Sequence, residues 1–184
     1  MNRVRPAMLV DAPAIARIDV ETWRSSYAGL LPDKYLVELS EAARRRQWGA
    51  EIAHHPGTVL VATDAIGRVR GFGSCGTARG PIAGLAGEIF TLYIAGDHQG
   101  CGMGRELLLG LFARLRARKL ESALVWVLRD NPSRFFYERL GGKLVGRRRV
   151  PFAGQTVETV AYGWPDLAAA LKAQARTGGS FPEG

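Results

Sequence analysis

The sequence contains few cysteines, few histidines and no long apolar run. Its two cysteines, Cys75 and Cys101, are too few for a disulfide framework and lack the spacing of metal ligands. The three histidines form no metal-binding set either, so we expect no metal. A mean hydropathy of -0.04 without an uninterrupted apolar stretch argues against a transmembrane helix, and the N-terminal region has no secretory-type apolar stretch. These features predict a cytoplasmic protein with reduced thiols and no membrane attachment.

The composition is that of an ordinary globular protein. Hydrophobic residues make up 47% and charged residues 23% of the 184 positions, which argues against wholesale disorder. The length suits one domain with one core, and no stretch of the sequence reads as a linker. We therefore predict a single domain over residues 1–175, followed by a flexible tail at 176–184.

Positive charge is concentrated in one part of the chain. The formal net charge is +8, and residues 101–150 alone hold 12 Arg and Lys against 4 Asp and Glu. Three interpretations fit this excess: a nucleic-acid surface, a site for a small polyphosphate, or a solvated strand edge at Arg147, Arg148 and Arg149. The charge alone does not choose among them.

The hydrophobic pattern predicts a mixed α/β fold. An antiparallel meander comes first, followed by a strand–loop–helix–strand unit and a final hairpin. The predicted strands are 3–9, 58–63, 69–77, 88–94, 123–128, 143–150 and 156–163. The predicted helices are 14–27, 32–52 in two pieces, 104–119, 133–140 and 166–174. Strict alternation along the fourth strand would place Glu88, Phe90, Leu92 and Ile94 on one face and Ile89, Thr91 and Tyr93 on the other.

The most informative segment is the glycine-rich turn between the fourth strand and the following helix. It reads Gln99-Gly100-Cys101-Gly102-Met103-Gly104. A helix N-terminus leaves backbone N–H groups unpaired, and glycines allow a phosphate to approach those donors closely. The turn lacks the Lys-Ser/Thr pair of a P-loop, and its G-x-G-x-G spacing is a poor match to the dinucleotide fingerprint. We therefore expect a cradle for another phosphate ligand.

Three segments carry a resemblance to the GNAT superfamily of N-acetyltransferases. The turn Gln99–Gly104 resembles its acyl-CoA signature, Q/R-x-x-G-x-G/A between a strand and a helix. The run Asn131–Gly142 is similar to the second family motif, N-x-x-a-x-x-f-Y-e-k-l-G-F, and Trp23–Pro32 resembles the opening of one large bacterial subgroup. The resemblance covers roughly residues 3–163. Gly142 departs from the usual aromatic residue, and Cys101 stands where a small, polar or basic residue is common.

The resemblance implies a fold and an acetyl-CoA site. The fold is a mixed, mostly antiparallel sheet of six to seven strands flanked by helices, with strands four and five splayed apart. In the family the pantetheine arm of acetyl-CoA lies in that splay, and its pyrophosphate lies over the turn. The residues implied as acetyl-CoA ligands are Leu92, Tyr93 and Ile94 by their backbone, Gln99, Gly100, Cys101, Gly102, Met103, Gly104 and Arg105 around the pyrophosphate, and Asn131.

The resemblance also suggests catalytic roles for two residues. Tyr137 matches the position of a hydroxyl that protonates the leaving thiolate, although a core aromatic is the alternative. Glu88 matches the position of a general base, acting directly or through water, and an exposed strand-end carboxylate is the alternative. Asn131 suits a pantetheine ligand, a helix cap, or both.

The acceptor amine is not identified by the sequence. By family analogy Trp23 and Tyr27 would line its side of the site together with the 151–154 loop, although core packing explains both aromatics equally well. We expect a small-molecule or peptide amine as partner, no nucleic acid, and dimerisation through the C-terminal strands as an option by analogy. A non-catalytic acyl-CoA-binding module and a basic nucleic-acid-binding domain are the alternative functions.

Overall fold

The computed structural model of the chain describes residues 3–80, 82 and 84–177. The strands are β1 (Arg3–Pro6), β2 (Val59–Thr63), β3 (Val69–Thr77), β4 (Gly87–Ile94), β5 (Ala123–Leu128), β6 (Lys143–Phe152) and β7 (Gln155–Trp164). The helices are α1 (Ala12–Ser26), α2 (Asp33–Val37), α3 (Glu41–His54), α4 (Met103–Ala117), α5 (Arg134–Arg139) and α6 (Leu167–Thr177). Each predicted strand and helix has its counterpart here. The predicted tail lies, from residue 178 onward, outside the described residues.

The seven strands form one sheet in the order β1-β2-β3-β4-β5-β7-β6. Neighbouring strands are antiparallel except for β4 and β5, which run parallel. That pair is hydrogen-bonded over three residues, from Gly87↔Ala123 to Ile89↔Val125, and then diverges. The predicted mostly antiparallel sheet with a splay between strands four and five is thus confirmed.

A β-bulge in β4 overturns the predicted alternation of its side chains. The register with β3 passes from Ser74↔Thr91 to Cys75↔Ile89, so Phe90 is an extra residue on β4. Beyond the bulge, Leu92 and Ile94 pack in the same core as Ile89. Strict alternation had predicted that Leu92 and Ile94 share a face with Glu88, and that prediction is wrong.

Helices cover both faces of the sheet. The apolar stripe of α4 packs against one face, where Leu107, Leu108, Leu111, Phe112 and Leu115 are all fully buried. Helices α1 and α3 pack against the opposite face over Val59, Val61 and Phe72. These two layers cover β4 and β5 at their paired ends, while residues of α1 and α5 line the cleft between their diverging ends.

The arginine-rich strand β6 forms one edge of the sheet. Arg147, Arg148 and Arg149 are exposed along it, as the strand-edge interpretation of the charge predicted. The two-residue turn to β7 places Ala153 and Gly154 at φ of 49° and 81°, which is typical of a tight hairpin. No helix within the described ranges is long and apolar enough to cross a bilayer.

Candidate active site

The diverging strands β4 and β5 open a cleft of about 900 Å³. Residues from α1, β4, the glycine-rich turn, β5 and α5 line it. Most of the residues proposed above are among them: Trp23, Tyr27, Leu92, Tyr93, Ile94, Gln99, Gly100, Gly102, Gly104, Arg105, Asn131 and Tyr137. Glu88, Cys101 and Met103 lie outside the lining, and Met103 is buried in the core.

A second, smaller cavity of about 370 Å³ lies beside the outer ends of β5 and β7. Its charged side chains neutralise each other, because Arg129 pairs with Asp130 and Glu158, and Arg149 also pairs with Glu158. It brings none of the predicted site residues together. We therefore place the candidate site in the larger cleft.

The glycine-rich turn presents open backbone donors at the start of α4. Gly102 is the N-cap of the helix, with a left-handed backbone at φ 81°, and Gly100 has a φ of 78°. The Glu106 amide makes the first intrahelical bond, to the Gly102 carbonyl at 3.1 Å. The three amides before it, at residues 103–105, therefore precede the helical ladder and can bind an anion.

Two side-chain contacts hold the turn in shape. The Gln99 side-chain amide donates to the Ile94 carbonyl at 3.2 Å. The Cys101 thiol donates to the His98 carbonyl at 2.8 Å. Gln99 and Cys101 thus brace the loop, and the phosphate-binding capacity lies in the backbone.

Gly104 lies at a narrow part of the cleft. A Cβ built at this position would lie 3.4 Å from the Phe136 ring and 3.7 Å from Ile94. Both neighbours line the cleft. A bare backbone here leaves room for a phosphate against the first helical turn, so the cradle fits the pyrophosphate of acetyl-CoA.

The backbone of β4 is open on the side that faces the splay. The Ala95 amide donates to the Arg70 carbonyl on the β3 side, and antiparallel alternation then assigns the Tyr93 peptide groups to the same ladder. Leu92 is one residue before Tyr93, so its N–H and C=O point away from β3 and toward the gap between β4 and β5. Leu92 is thus placed to hydrogen-bond an extended ligand, while Tyr93 contributes its side chain to the cleft.

Tyr137 reaches the cleft from the short helix α5. The residue is 5% exposed and packs edge-on against Phe136 and Trp164, with ring centroids 5.1 and 6.2 Å away. Burial, with a smaller contribution from Tyr27, raises the pKa of the Tyr137 phenol well above its ordinary value. The phenol therefore stays protonated across neutral pH, as an acid requires.

Asn131 caps the turn that leads into α5. Its side-chain oxygen accepts a hydrogen bond from the Ser133 amide at 2.8 Å, and its carbonyl accepts from the Arg134 amide. The residue is buried and lines the cleft. Asn131 thus stabilises the turn before α5, whose N-cap is Ser133 rather than Asn131, and its side chain lies at the cleft.

Glu88 is engaged by Arg79. The Arg79 backbone N–H donates to Oε2 at 2.8 Å, and its guanidinium donates to Oε1 at 2.7 Å. Glu88 is 2% exposed, so it is buried rather than exposed at the strand end. Sequence patterns gave no signal for this ion pair, because Arg79 lies in the irregular segment between β3 and β4.

Aromatic side chains form the other side of the cleft. Trp23 packs against Tyr27 and against Phe152 at the β6–β7 turn, with centroids 4.8 and 5.9 Å apart. This agrees with the prediction that α1 and the 151–154 loop meet. Tyr27 and Tyr93 hydrogen-bond through their side chains, and burial raises both pKa values.

Most of the cations that gave the 101–150 segment its excess charge lie away from the cleft. Arg105 and Arg139 line it. Arg105 donates to the side-chain and backbone oxygens of Gln174 on α6, while Arg114 donates to the Gly57 carbonyl. The charge is therefore spread over several surfaces. Within residues 3–80, 82 and 84–177, no three His, Cys, Asp or Glu side chains are grouped to hold a metal ion.

Comparison with known proteins agrees with this architecture. The model of the acetyltransferase (GNAT) family matches residues 17–142. An uncharacterized N-acetyltransferase of Bacillus subtilis, YuaI, is 34% identical over 92% of this chain and 96% of its own length. An L-methionine sulfoximine/L-methionine sulfone acetyltransferase of Pseudomonas aeruginosa is 32% identical over 83% of this chain and 85% of its own.

A solved structure shares the fold. The acetyltransferase yncA of Salmonella typhimurium, determined with acetyl-CoA, superimposes with a TM-score of 0.69 at 20% identity. The match covers 91% of this chain and 94% of that one. The overall fold of this chain is therefore shared with that structure.

Proposed function

The chain belongs to the GNAT acetyltransferase family, and from that premise we propose that it transfers the acetyl group of acetyl-CoA to a primary amine by direct attack in a ternary complex. One observation carries the proposal: a cleft between splayed strands is continuous with open amides at the head of α4 and with the Tyr137 phenol. Bound acetyl-CoA supplies the activated thioester. The chain's own groups must orient it and manage the protons.

Different residues along the cleft would bind acetyl-CoA, transfer the proton and contact the amine. Amides at residues 103–105 would hold the pyrophosphate, and the Leu92 backbone together with Asn131 would hold the pantetheine arm. Tyr137 would donate its proton to the departing thiolate sulfur. The Leu92 N–H, the donor of the Leu92–Tyr93 region that faces the gap, would polarise the acetyl carbonyl. Trp23 and Tyr27 would contact the incoming amine.

The test is a screen of amine acceptors that detects the released CoA thiol. The panel contains small amines, aminoglycosides, peptides and amino acids. Amino acids are included because one relative is named for acetylating L-methionine sulfoximine and L-methionine sulfone. We expect thiol release that depends on one acceptor class. CoA binding without turnover on any acceptor would favour the non-catalytic module instead.

The nucleic-acid alternative makes a separate prediction. A basic surface that bound DNA or RNA would do so with strong salt dependence, and excess CoA would not displace the nucleic acid. Gel-shift titration at two salt concentrations, with and without CoA, measures this. We expect no salt-dependent complex that survives CoA.

We also propose that Glu88 assists as a base through water, because its carboxylate lies behind Arg79 rather than in the cleft lining. The Glu88→Gln variant should lower kcat by about 100-fold, at the modest end of general-base effects. Steady-state kinetics at saturating acetyl-CoA measure this.

Arg79→Met is the matched control for this prediction. It removes the guanidinium that clamps Glu88 but leaves the carboxylate in place. An equal fall in kcat in both variants would assign Glu88 to holding Arg79 and not to proton transfer.

A further inference from the structure

Two arginines stack on aromatic residues of the cleft, at its margin, because neither arginine is itself among the lining residues. Phe90 and Trp126 immediately follow Ile89 and Val125, the last hydrogen-bonded residues of β4 and β5. Both rings line the cleft. The Arg79 guanidinium lies 4.4 Å from the Phe90 ring centroid, and that of Arg148 lies 3.9 Å from the Trp126 centroid. Each ring therefore carries a stacked cation.

These four side chains share the face of the sheet that bears α1. Val125 and Val127 pack in the α4 core, so alternation puts Trp126 on the opposite face. Phe90 joins that face because of the bulge, and it lies near the Cβ position of Gly76, 3.0 Å away. The acceptor aromatics of α1 lie on this face too. We call the pair Arg79 and Arg148 the arginine rim.

The arginine rim carries an uncompensated positive charge. Arg79 is neutralised by Glu88 at 2.7 Å. Arg148 is exposed, and among the described residues no carboxylate lies within 4.0 Å of its guanidinium, since Glu158 pairs with Arg129 and Arg149. No Asp or Glu is found in the cleft lining of the described chain either. Such a surface attracts an anionic group and disfavours a polycation.

We propose that the arginine rim binds a carboxylate of the acceptor, so that the acceptor is an amine that also carries a carboxylate, as an amino acid does. This inference rests on the proposed acetyl transfer. A guanidinium suits the task because its N–H groups match the two oxygens of a carboxylate. With the carboxylate on the rim, the amine lies toward the splay, where the thioester is expected.

The test compares amino acids with their α-amides, which keep the amine and side chain but lose the negative charge. Wild-type protein should show a KM about 10–100-fold lower for the acid than for the amide, as a charge-assisted hydrogen bond predicts. Arg148→Met, which preserves packing on Trp126, should raise KM for the acid to the level of the amide. It should leave KM for the amide unchanged.

Arg147→Met is the matched control. Arg147 is the same residue type on the same strand, but it lies on the opposite face of β6. We expect its kinetics to equal those of the wild type. Two results would overturn the arginine rim while leaving acetyl transfer intact. One is an equal KM for amino acids and their α-amides, and the other is an Arg148→Met change in KM that is the same for both substrates.

Product binding separates the two proposals without turnover. Calorimetry should show that N-acetyl amino acids bind the CoA-loaded wild type, and that Arg148→Met weakens this binding by about tenfold or more. If no acceptor releases CoA but this binding difference appears, acetyl transfer fails and the arginine rim stands. If the two proteins bind the product equally, the arginine rim fails.

Discussion

Tyr137→Phe should lower turnover by about 10²–10⁴-fold while affinity for CoA changes little. The substitution removes one hydroxyl from the cleft and keeps the ring that packs against Phe136 and Trp164. Because the thiolate must leave without a proton donor, the loss should fall on kcat. Stopped-assay thiol release gives turnover, and calorimetry with CoA gives the affinity.

Tyr162→Phe is the matched control for Tyr137→Phe. Tyr162 is buried in the same core cluster, but its hydroxyl donates to Glu138. Its loss should lower stability slightly and leave turnover within a few-fold of wild type. If both variants lose activity equally, or if Tyr137→Phe loses none, Tyr137 is a packing residue.

The pH dependence gives an independent check on the same residue. A raised pKa means that the Tyr137 phenol remains neutral up to and beyond the pH at which an ordinary tyrosine ionises. Wild-type turnover should therefore show no alkaline limb from this group below pH 10. A limb near pH 8 that disappears in Tyr137→Phe would contradict the burial seen here.

The sequence predicted the elements that depend on local pattern. The glycine-rich turn could be predicted because a positive φ requires glycine at that very position, as at Gly100 and Gly102. The apolar run of β5 predicted a strand covered on both faces, which holds for residues 123–125, whereas Trp126 and Val127 line the open cleft. The turn-forming Asn131 marked the approach to α5. These signals lie within a few residues of the structure they specify.

The features that escaped prediction depend on distant partners. The bulge at Phe90 comes from the register with β3, which side-chain alternation along β4 cannot report. The Arg79–Glu88 pair joins an irregular segment to a strand, and Arg148 reaches Trp126 across 22 positions of sequence. The side of the cleft proposed for the acceptor is built from contacts between residues distant in sequence, so it was the part of the site least predictable from the sequence.

Gly104→Val should weaken CoA binding by about 10–100-fold, the loss expected for one charge-assisted hydrogen bond. A Cβ alone would meet Phe136 at 3.4 Å, an ordinary contact, so Gly104→Ala should be tolerated. The added methyl groups of valine would extend between Phe136 and Ile94, where the pyrophosphate is proposed to lie. Equilibrium titration with CoA should therefore show near-wild-type affinity for Gly104→Ala and weaker affinity for Gly104→Val.

The general effect of placing valine in a helix is isolated by Gly49→Val. Gly49 lies within α3, and nothing comes within 4 Å of its Cβ position. Because valine is no worse a helix former than glycine, this variant should keep its stability and its full CoA affinity. Gly102→Val should weaken CoA binding as well, because a branched side chain would occupy the place of the phosphate. Its control is Gly67→Val, because the two glycines have φ of 81° and 82°. If the variants at 102 and 104 bind CoA as their controls do, the head of α4 is not the pyrophosphate cradle.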